Sequence, residues 1–328
     1  MDKRIKNIII IIVIGLLLGV IKKADAQQDA QFSQYMFNGI YINPAYAGYR
    51  EQLNVQGFFR TQWTGVTGAP QTESVAVDAI ANDDKVGLAF MMSDDKLGAQ
   101  SNLEFYANYA YRIQMNEDGS SRLALGFGVG AVQLGINGAM LFANDPEPYQ
   151  PTGNQSTILP DARLGAYYSD DKVYVGLSAD NLVAQFYKVP ATSFIAQPKP
   201  HYYLTAGMLV PLSEDIQLKP SFLLKDDMAG PTSLDLTTFI IMKDAVWLGC
   251  SYQTGVKLYN KPYLQSNLGQ PAAIVLAAQL YTIKNYRIGY SYDISLGALA
   301  GYSGGSHELS IGYFFDRKDY RISSPRYF

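Results

Sequence analysis

Residues 286–294 read YRIGYSYDI, and the side chains of this stretch alternate strictly in character. Even positions carry apolar or aromatic side chains, whereas odd positions carry charged or small ones. This period of two predicts a β-strand with one apolar face and one polar face. Residues 123–131 and 307–313 show the same alternation, with small or charged residues between the larger ones. The chain is therefore predicted to be an all-β protein.

About fourteen segments of this kind can be delimited along the chain. They lie at residues 52–60, 71–80, 85–93, 100–115, 122–136, 161–169, 172–180, 201–211, 215–225, 232–242, 245–254, 272–282, 285–294 and 306–316. One of them contains Pro220 in its middle, which predicts a weakened strand, a bulge or an irregularity of the wall at that point.

The length of the link between two segments depends on whether the link follows an even-numbered or an odd-numbered strand. Every link after an even-numbered strand is short and polar, as at residues 81–84 and 170–171. Three links of the other parity are long, at residues 137–160, 181–200 and 255–271. Outer-membrane barrels have short periplasmic turns and longer outer loops, and a sheet in lipid must close on itself to pair its backbone amides. The sequence thus predicts a transmembrane antiparallel β-barrel of about fourteen strands.

The first 26 residues have the features of an export signal. Lys3, Arg4 and Lys6 precede an apolar run at residues 8–21, and a small-x-small site ends at Ala26. This order predicts a secretory signal peptide that is cleaved after Ala26. The alternative is a membrane anchor, but the run of 14 residues is short for a helix that needs ~20 residues to span.

The composition of the remaining chain excludes several functional classes. Residues 27–328 carry 21 basic and 27 acidic side chains, a net charge of −6, which argues against a nucleic-acid partner. Cys250 is alone and only two histidines are present, so no disulfide, metal centre or cofactor site is predicted. His307 has no identifiable serine partner, and no catalytic residue is predicted. The 25 tyrosines suit a protein with water–lipid interfaces.

Charged residues fall on the polar faces of the predicted strands, which would line the lumen. The simpler interpretation is a lumen stabilised by ion pairs, and the alternative is a selective pore. The residues on this face are Glu104, Arg112, Arg163, Asp180, Lys219, Asp235, Arg287, Asp293 and Glu308.

The segment QFSQYMFNGIYINPAYAGYR at residues 31–50, followed by FRTQWTG at 59–65 and GAPQT at 68–72, resembles the start of the PorP/SprF family of type IX secretion outer-membrane proteins. Later motifs agree with that family, and the similarity extends from about residue 29 to 316. The resemblance implies a non-enzymatic outer-membrane barrel of Bacteroidetes that serves the type IX machinery. Members linked to gliding motility are thought to support the export or surface retention of a large adhesin by recognising its C-terminal sorting domain. Other type IX components are then expected as partners.

Residues 27–50 are predicted to form a plug inside the lumen, because an aromatic-rich segment before the first strand needs a buried site. The alternative is a periplasmic strap beside the first strand. The family motif residues expected in this segment are Gln31, Phe32, Ser33, Gln34, Tyr35, Met36, Phe37, Asn38, Asn43, Pro44, Ala45, Tyr46 and Gly48.

Aromatic and apolar residues of the outer loops are candidates for binding a protein partner, since binding sites commonly lie on loops of a rigid scaffold. The alternative is a cap in which the loops pack on themselves. Trp63 is first expected to anchor the outer interface. The candidates are Trp63, Met140, Phe142, Tyr149, Phe186, Tyr187 and Phe194.

The predicted organisation has four parts: a signal peptide at 1–26, the plug or strap at 27–50, the barrel at 51–316 and a periplasmic tail at 317–328. The tail is either a frayed end or a contact for another secretion component. The main alternative function is FadL-like transport of small hydrophobic molecules, since such barrels share fourteen strands and an N-terminal hatch with an Asn-Pro-Ala element. A small-solute porin is the second alternative.

Overall fold

The computed structural model describes residues 32–82, 84–117, 119–141, 153–189, 195, 197–261, 271–282, 285–297 and 300–315. Several sequence predictions fall outside these residues. They are the signal peptide, the tail at 317–328, and the candidate residues Gln31, Phe142, Tyr149 and Phe194.

Within these described residues, fifteen strands form one antiparallel sheet that closes on itself. They are β1 Leu53–Thr61, β2 Gln71–Ala81, β3 Val86–Leu97, β4 Gln100–Gln114, β5 Arg122–Asn137, β6 Asn154–Ser169, β7 Val173–Asp180, β8 His201–Met208, β9 Val210–Pro211, β10 Ile216–Asp226, β11 Thr232–Met242, β12 Val246–Val256, β13 Pro271–Tyr281, β14 Tyr286–Ser295 and β15 Ser306–Phe315.

The sheet closes because the last strand pairs with the first, from Leu53 opposite Phe315 to Thr61 opposite His307. Strands β8 and β9 lie one after the other along β10 and occupy one position in the wall. The wall therefore has fourteen positions, which confirms the predicted closed barrel of about fourteen strands. In the described part of the chain, no helix is both long and apolar enough to cross a membrane.

The alternation of the sequence becomes the two faces of the barrel wall. On β14, Ile288 and Tyr290 are exposed on the outer surface, whereas Arg287 and Ser291 are at most 1% exposed and face the lumen. A lipid-facing surface must be apolar, and polar side chains are tolerated only on the inner side. The same phasing holds on β1, where Phe59 faces outward.

The structure corrects the predicted loop at residues 137–160. Strand β6 begins at Asn154 rather than near residue 161, and it pairs with β5 up to Asn137 opposite Asn154. The segment 154–157 is polar and shows no apolar alternation, because this part of the hairpin extends beyond the apolar band. Its strand conformation is stabilised by backbone pairing with β5, which leaves no signature in side-chain character.

Pro220 does not produce a bulge against β11, since the register of β10 with β11 continues through Pro220 opposite Thr238. The irregularity lies on its other side. There β8 ends at Met208 and β9 starts at Val210, next to residues 219 and 220 of β10. A proline has no N–H to donate, so the interruption of the neighbouring strand coincides with the missing donor.

The two ends of the barrel differ. At one end the strands are joined by short turns; between β11 and β12, Lys243 and Asp244 have φ values of 50° and 56°, which suits a tight hairpin whose twist matches the strands. At the other end the connections are longer, including residues 181–200 and 257–270. These are called the short-turn end and the long-loop end below.

Candidate functional site: the plugged lumen and its outer mouth

The N-terminal segment, residues 32–52, lies inside the barrel and is called the plug. It contains three short 3-10 helices, Tyr35–Phe37, Gly39–Tyr41 and Pro44–Tyr46. Phe32 lies near the long-loop end, and the chain then descends through the lumen until β1 begins at the short-turn end. The plug therefore follows the axis of the barrel rather than passing beneath it as a strap.

Near the long-loop end, the plug is attached by its backbone to Glu308. The N–H groups of Ser33 and Gln34 donate to the two carboxylate oxygens of Glu308, at 2.7 and 3.0 Å. Arg60 pairs with the same carboxylate at 3.1 Å and with Asp293 at 2.6 Å. The Ser33 hydroxyl donates to Asp293 at 2.7 Å. Plug and wall thus share one buried network of charge-assisted hydrogen bonds, which are the stronger kind.

In the middle of the lumen, Arg163 binds the plug through its carbonyl groups. Its guanidinium donates to the carbonyl oxygens of Ile40 at 3.1 Å and Tyr41 at 2.8 Å. The same guanidinium pairs with Asp180 at 2.8 Å. Asn43 adds a bond from its side-chain amide to the carbonyl of Ala166 at 3.0 Å. Since Arg163 is fully buried, these acceptors replace the water it would otherwise need.

At the short-turn end, Glu51 joins the plug to β4 and β5. Its Oε1 accepts from Arg112 at 3.0 Å and is also paired with Arg122. Glu51 is 1% exposed and both arginines are buried. One carboxylate therefore balances two cations where the plug continues into β1.

Aromatic packing fills the space between these polar attachments. Phe37 contacts the rings of Phe239 and Trp247 edge-on, with centroid distances of 5.2 and 5.6 Å. Tyr46 packs against Tyr167 at 5.5 Å. Such edge-to-face pairs are favourable geometries for aromatic rings. The plug and the inner wall therefore share one packed core.

Two glycines of the wall allow the plug backbone to approach closely. A Cβ at Gly126 of β5 would lie 2.3 Å from the backbone nitrogen of Ala45. A Cβ at Gly87 of β3 would overlap the carbonyl oxygen of Ala47. Both contacts are with backbone atoms that cannot rotate away, so these positions accommodate the plug only as glycine.

Glu51→Gln is expected to destabilise the protein by about 3–5 kcal/mol. The substitution keeps the shape of the side chain but removes the carboxylate that the buried Arg112 and Arg122 share, and breaking a buried pair in this way costs about that much. Thermal unfolding of the purified barrel in detergent measures the effect.

The control is Asp94→Asn, which removes the exposed ion pair with Lys96 at 2.8 Å. Exposed pairs contribute about 0–1 kcal/mol, so this variant should unfold like the parent protein. Equal stability of the two variants would contradict the role given to Glu51.

A cavity of about 80 Å³ remains above the plug at the long-loop end. Plug residues Phe32, Tyr35 and Tyr41 line the cavity, together with Asp226 at the end of β10 and Asp227 in the β10–β11 connection. The lumen is thus closed below this cavity by the plug, and the cavity opens toward the loops.

The lumen charges predicted from the sequence lie on the inner face. Eight of the nine are buried, namely Arg112, Arg163, Asp180, Lys219, Asp235, Arg287, Asp293 and Glu308. Glu104 is partly buried and lines the outer cavity. Lys219, also phased inward, is 1% exposed, and its ammonium lies 5.2 Å from the ring of Trp247.

The loop candidates are distributed around the long-loop end. Met140 lies in the short 3-10 helix Gly138–Met140 and is half exposed, while Phe186 is 78% exposed beside the partly exposed Tyr187. Tyr302, which the sequence reasoning did not single out, is 82% exposed. Trp63 is partly exposed in the β1–β2 connection, with its backbone N–H donating to the Ser306 hydroxyl at 3.2 Å.

A hollow of about 420 Å³ lies beside Pro220 on the wall. Outward-facing residues of β10–β13 line it, including Leu236, Cys250 and Tyr252. Since β10–β11 and β11–β12 remain continuously paired here, the hollow is a groove in the outer surface.

The sequence over residues 24–313 matches the family described as type IX secretion system membrane protein PorP/SprF. The chain belongs to the PorP/SprF family. It is accordingly an outer-membrane barrel of a secretion system family, and its long-loop end is the outer mouth. The resemblance of residues 31–50 to PorP/SprF proteins is thereby confirmed. The chain has no match among curated protein sequences.

Three solved structures with a similar fold are distant in sequence from this PorP/SprF chain. The monoaromatic hydrocarbon channel CymD has a TM-score of 0.50 and 13% identity, covering 87% of this chain and 94% of CymD. Omp33 of Acinetobacter baumannii has a TM-score of 0.47 and 8% identity, covering 82% of this chain and all of Omp33. A FadL homologue of Pseudomonas aeruginosa has a TM-score of 0.46 and 10% identity, with coverages of 86% and 94%. At these identities the CymD similarity supports the barrel fold alone.

Several residues that hold the PorP/SprF plug in place could not be recognised from the sequence. Glu51 lies two residues before β1 and belongs to no recognisable sequence motif. Its two arginine partners lie far away in sequence, on β4 and β5. Gly87 and Gly126 occupy inward positions of their strands. A run of inward glycines in β5 was the available signal, because an inner face without side chains leaves room for another backbone.

Proposed function

We propose that this barrel is a closed outer-membrane platform that holds a large adhesin by its C-terminal sorting domain during type IX secretion or surface display. The observation that carries the proposal is the filled lumen: the plug is bonded to the wall at three levels and packs with the wall into a shared core. A barrel closed in this way offers its outer mouth and loops for function.

Family membership supports a place in the secretion machinery, and the exposed apolar residues of the loops support a protein partner. Phe186 and Tyr302 extend from different loops around the same mouth. Large apolar side chains left in solvent next to polar loops are typical of interaction sites. Other type IX components would contact the short-turn end, which faces the periplasm.

Site-specific photocrosslinking tests this proposal. A photoreactive amino acid at Phe186 or Tyr302 is expected to capture the adhesin in living cells, with a crosslinked band containing its C-terminal domain. Leu125, which faces outward on β5 near the short-turn end, is the matched control and should capture no adhesin. Equal capture at Leu125, or none at the loop positions, would contradict docking at the outer mouth.

Transport of a small hydrophobic molecule is a second candidate, favoured by the groove beside Pro220. A transporter with a lateral exit would release its substrate into lipid at such a place. Liposomes that contain the purified barrel would then take up a fatty acid or an aromatic hydrocarbon faster than empty liposomes. Uptake without any adhesin crosslink would favour this candidate over the platform.

A further inference from the structure

The outer cavity above the plug combines acidic and apolar surfaces. Its acidic lining residues are Glu104, Asp180, Asp226 and Asp227, and its basic ones are Lys225 and His201. Rings and apolar side chains from the plug and the wall, such as Tyr41 and Leu223, complete the lining. The shape and chemistry are those of a pocket for one side chain rather than of a channel.

Among these acidic residues, Asp227 has one carboxylate oxygen without a hydrogen-bond donor in the described part of the chain. It is 8% exposed, and its Oδ1 accepts from the backbone N–H groups of Ala229 and Gly230 at 2.9 and 2.6 Å. Its Oδ2 is buried and has no hydrogen-bond partner in the part of the chain that the structure describes. A buried carboxylate oxygen without a donor is costly unless a ligand supplies one.

The neighbouring cations already have carboxylate partners. Lys261 pairs with Asp226 at 3.0 Å and also donates to the carbonyl of Gly230 at 2.6 Å. Lys225 pairs with Asp235 at 3.0 Å. Among the described ion pairs none includes Asp227, so no cation of the described residues lies within ion-pair distance of its carboxylate.

We propose that the outer cavity binds a cationic side chain, lysine or arginine, of the partner polypeptide. The ammonium or guanidinium group would pair with the carboxylate of Asp227, which lines the cavity, and the methylene stem would lie along the apolar wall, as such side chains commonly do. Faces of Tyr41 and Tyr203 offer further attraction for the cation. The inference rests on the proposed function for the identity of the partner, but the site itself needs only the cavity.

Two small molecules test the site on the purified full-length barrel in detergent. The probes are n-butylguanidinium and n-butylammonium, with n-butanol as the uncharged control. Calorimetric titration is expected to show saturable binding of at least one cation and none of n-butanol. Absence of saturable binding by either cation would overturn the proposal.

Variants locate the binding. Asp227→Asn preserves the acceptor for the N–H groups of Ala229 and Gly230 but removes the negative charge. It should lower the affinity for the cation by about tenfold or more. Ser233→Phe fills the cavity from β11 and should abolish binding, while Asp244→Asn in an exposed short turn should leave it unchanged. Undiminished binding to both cavity variants would overturn the proposal.

Adhesin capture separates this inference from the proposed function. If wild-type protein crosslinks the adhesin and Asp227→Asn reduces that capture, both stand. If wild-type protein binds the cations but captures no adhesin, the proposed function fails and the cation site stands. If Asp227→Asn loses the cations and captures the adhesin undiminished, the cavity is not where the partner docks, and this inference fails while the platform remains.

Discussion

Gly126→Val is expected to open the barrel to ions, with single-channel conductance in planar bilayers rising on the order of tenfold over the wild-type protein. Even the first carbon of the new side chain would lie 2.3 Å from the plug backbone at Ala45, so plug and wall cannot keep their present contact. The interior of a barrel of about eight strands is just wide enough to be filled by its own side chains. A wall with fourteen positions encloses a wider interior, which fills with water once the plug has moved.

Gly57→Val is the matched control for this prediction. Gly57 faces outward on β1, and a Cβ there would make an ordinary contact of 3.4 Å with the carbonyl oxygen of Ser74. Its conductance should equal that of wild type. A Gly126→Val barrel that is folded and as poorly conducting as wild type would show that the plug does not close the lumen.

Glu308→Ala is expected to release the upper part of the plug and to lower the free energy of unfolding by about 3–5 kcal/mol. The substitution removes the acceptor for the Ser33 and Gln34 amides and breaks one of the two ion pairs that Arg60 makes with Asp293 and Glu308. Each unpaired buried donor costs about 1–3 kcal/mol. The state in which the upper plug leaves the wall, where water can bind these donors, is therefore lower in free energy than the state in which they stay buried.

Thiol labelling measures that release. With Cys250 replaced by Ser, a cysteine introduced at Met36, which is 6% exposed, should react with a maleimide only when the plug leaves its site. Glu308→Ala should accelerate labelling by an order of magnitude or more, and Glu214→Ala in an exposed short turn should not. Slow labelling in the Glu308→Ala protein would mean that packing, rather than this carboxylate, retains the plug.

The barrel could be predicted from the sequence because lipid enforces a visible pattern. Residues 286–294 alternate since each side chain meets either lipid or the lumen, and the parity of loop lengths follows from repeated crossing of a membrane. Where the chain leaves the apolar band this constraint disappears. The start of β6 at Asn154 was therefore missed, although its pairing with β5 is regular.

The site was less predictable, for a physical reason that Glu51 and Asp227 illustrate. Their importance comes from partners distant in sequence, such as Arg112 for Glu51, or from an orientation within a short loop, as for Asp227. The periodicity of the sequence indicates on which face of the wall a residue lies. It does not indicate with which charged residue across the lumen that residue pairs. The aromatic and amide composition of residues 31–50 did indicate burial, because such a segment is too apolar to remain in water.

Affinity isolation of the wild-type barrel from the outer membrane in mild detergent tests the central claim most directly. We expect a large secreted protein to co-purify, held through its C-terminal domain and lost when that domain is deleted. Recovery of the barrel without such a protein, from cells that export it normally, would contradict the account.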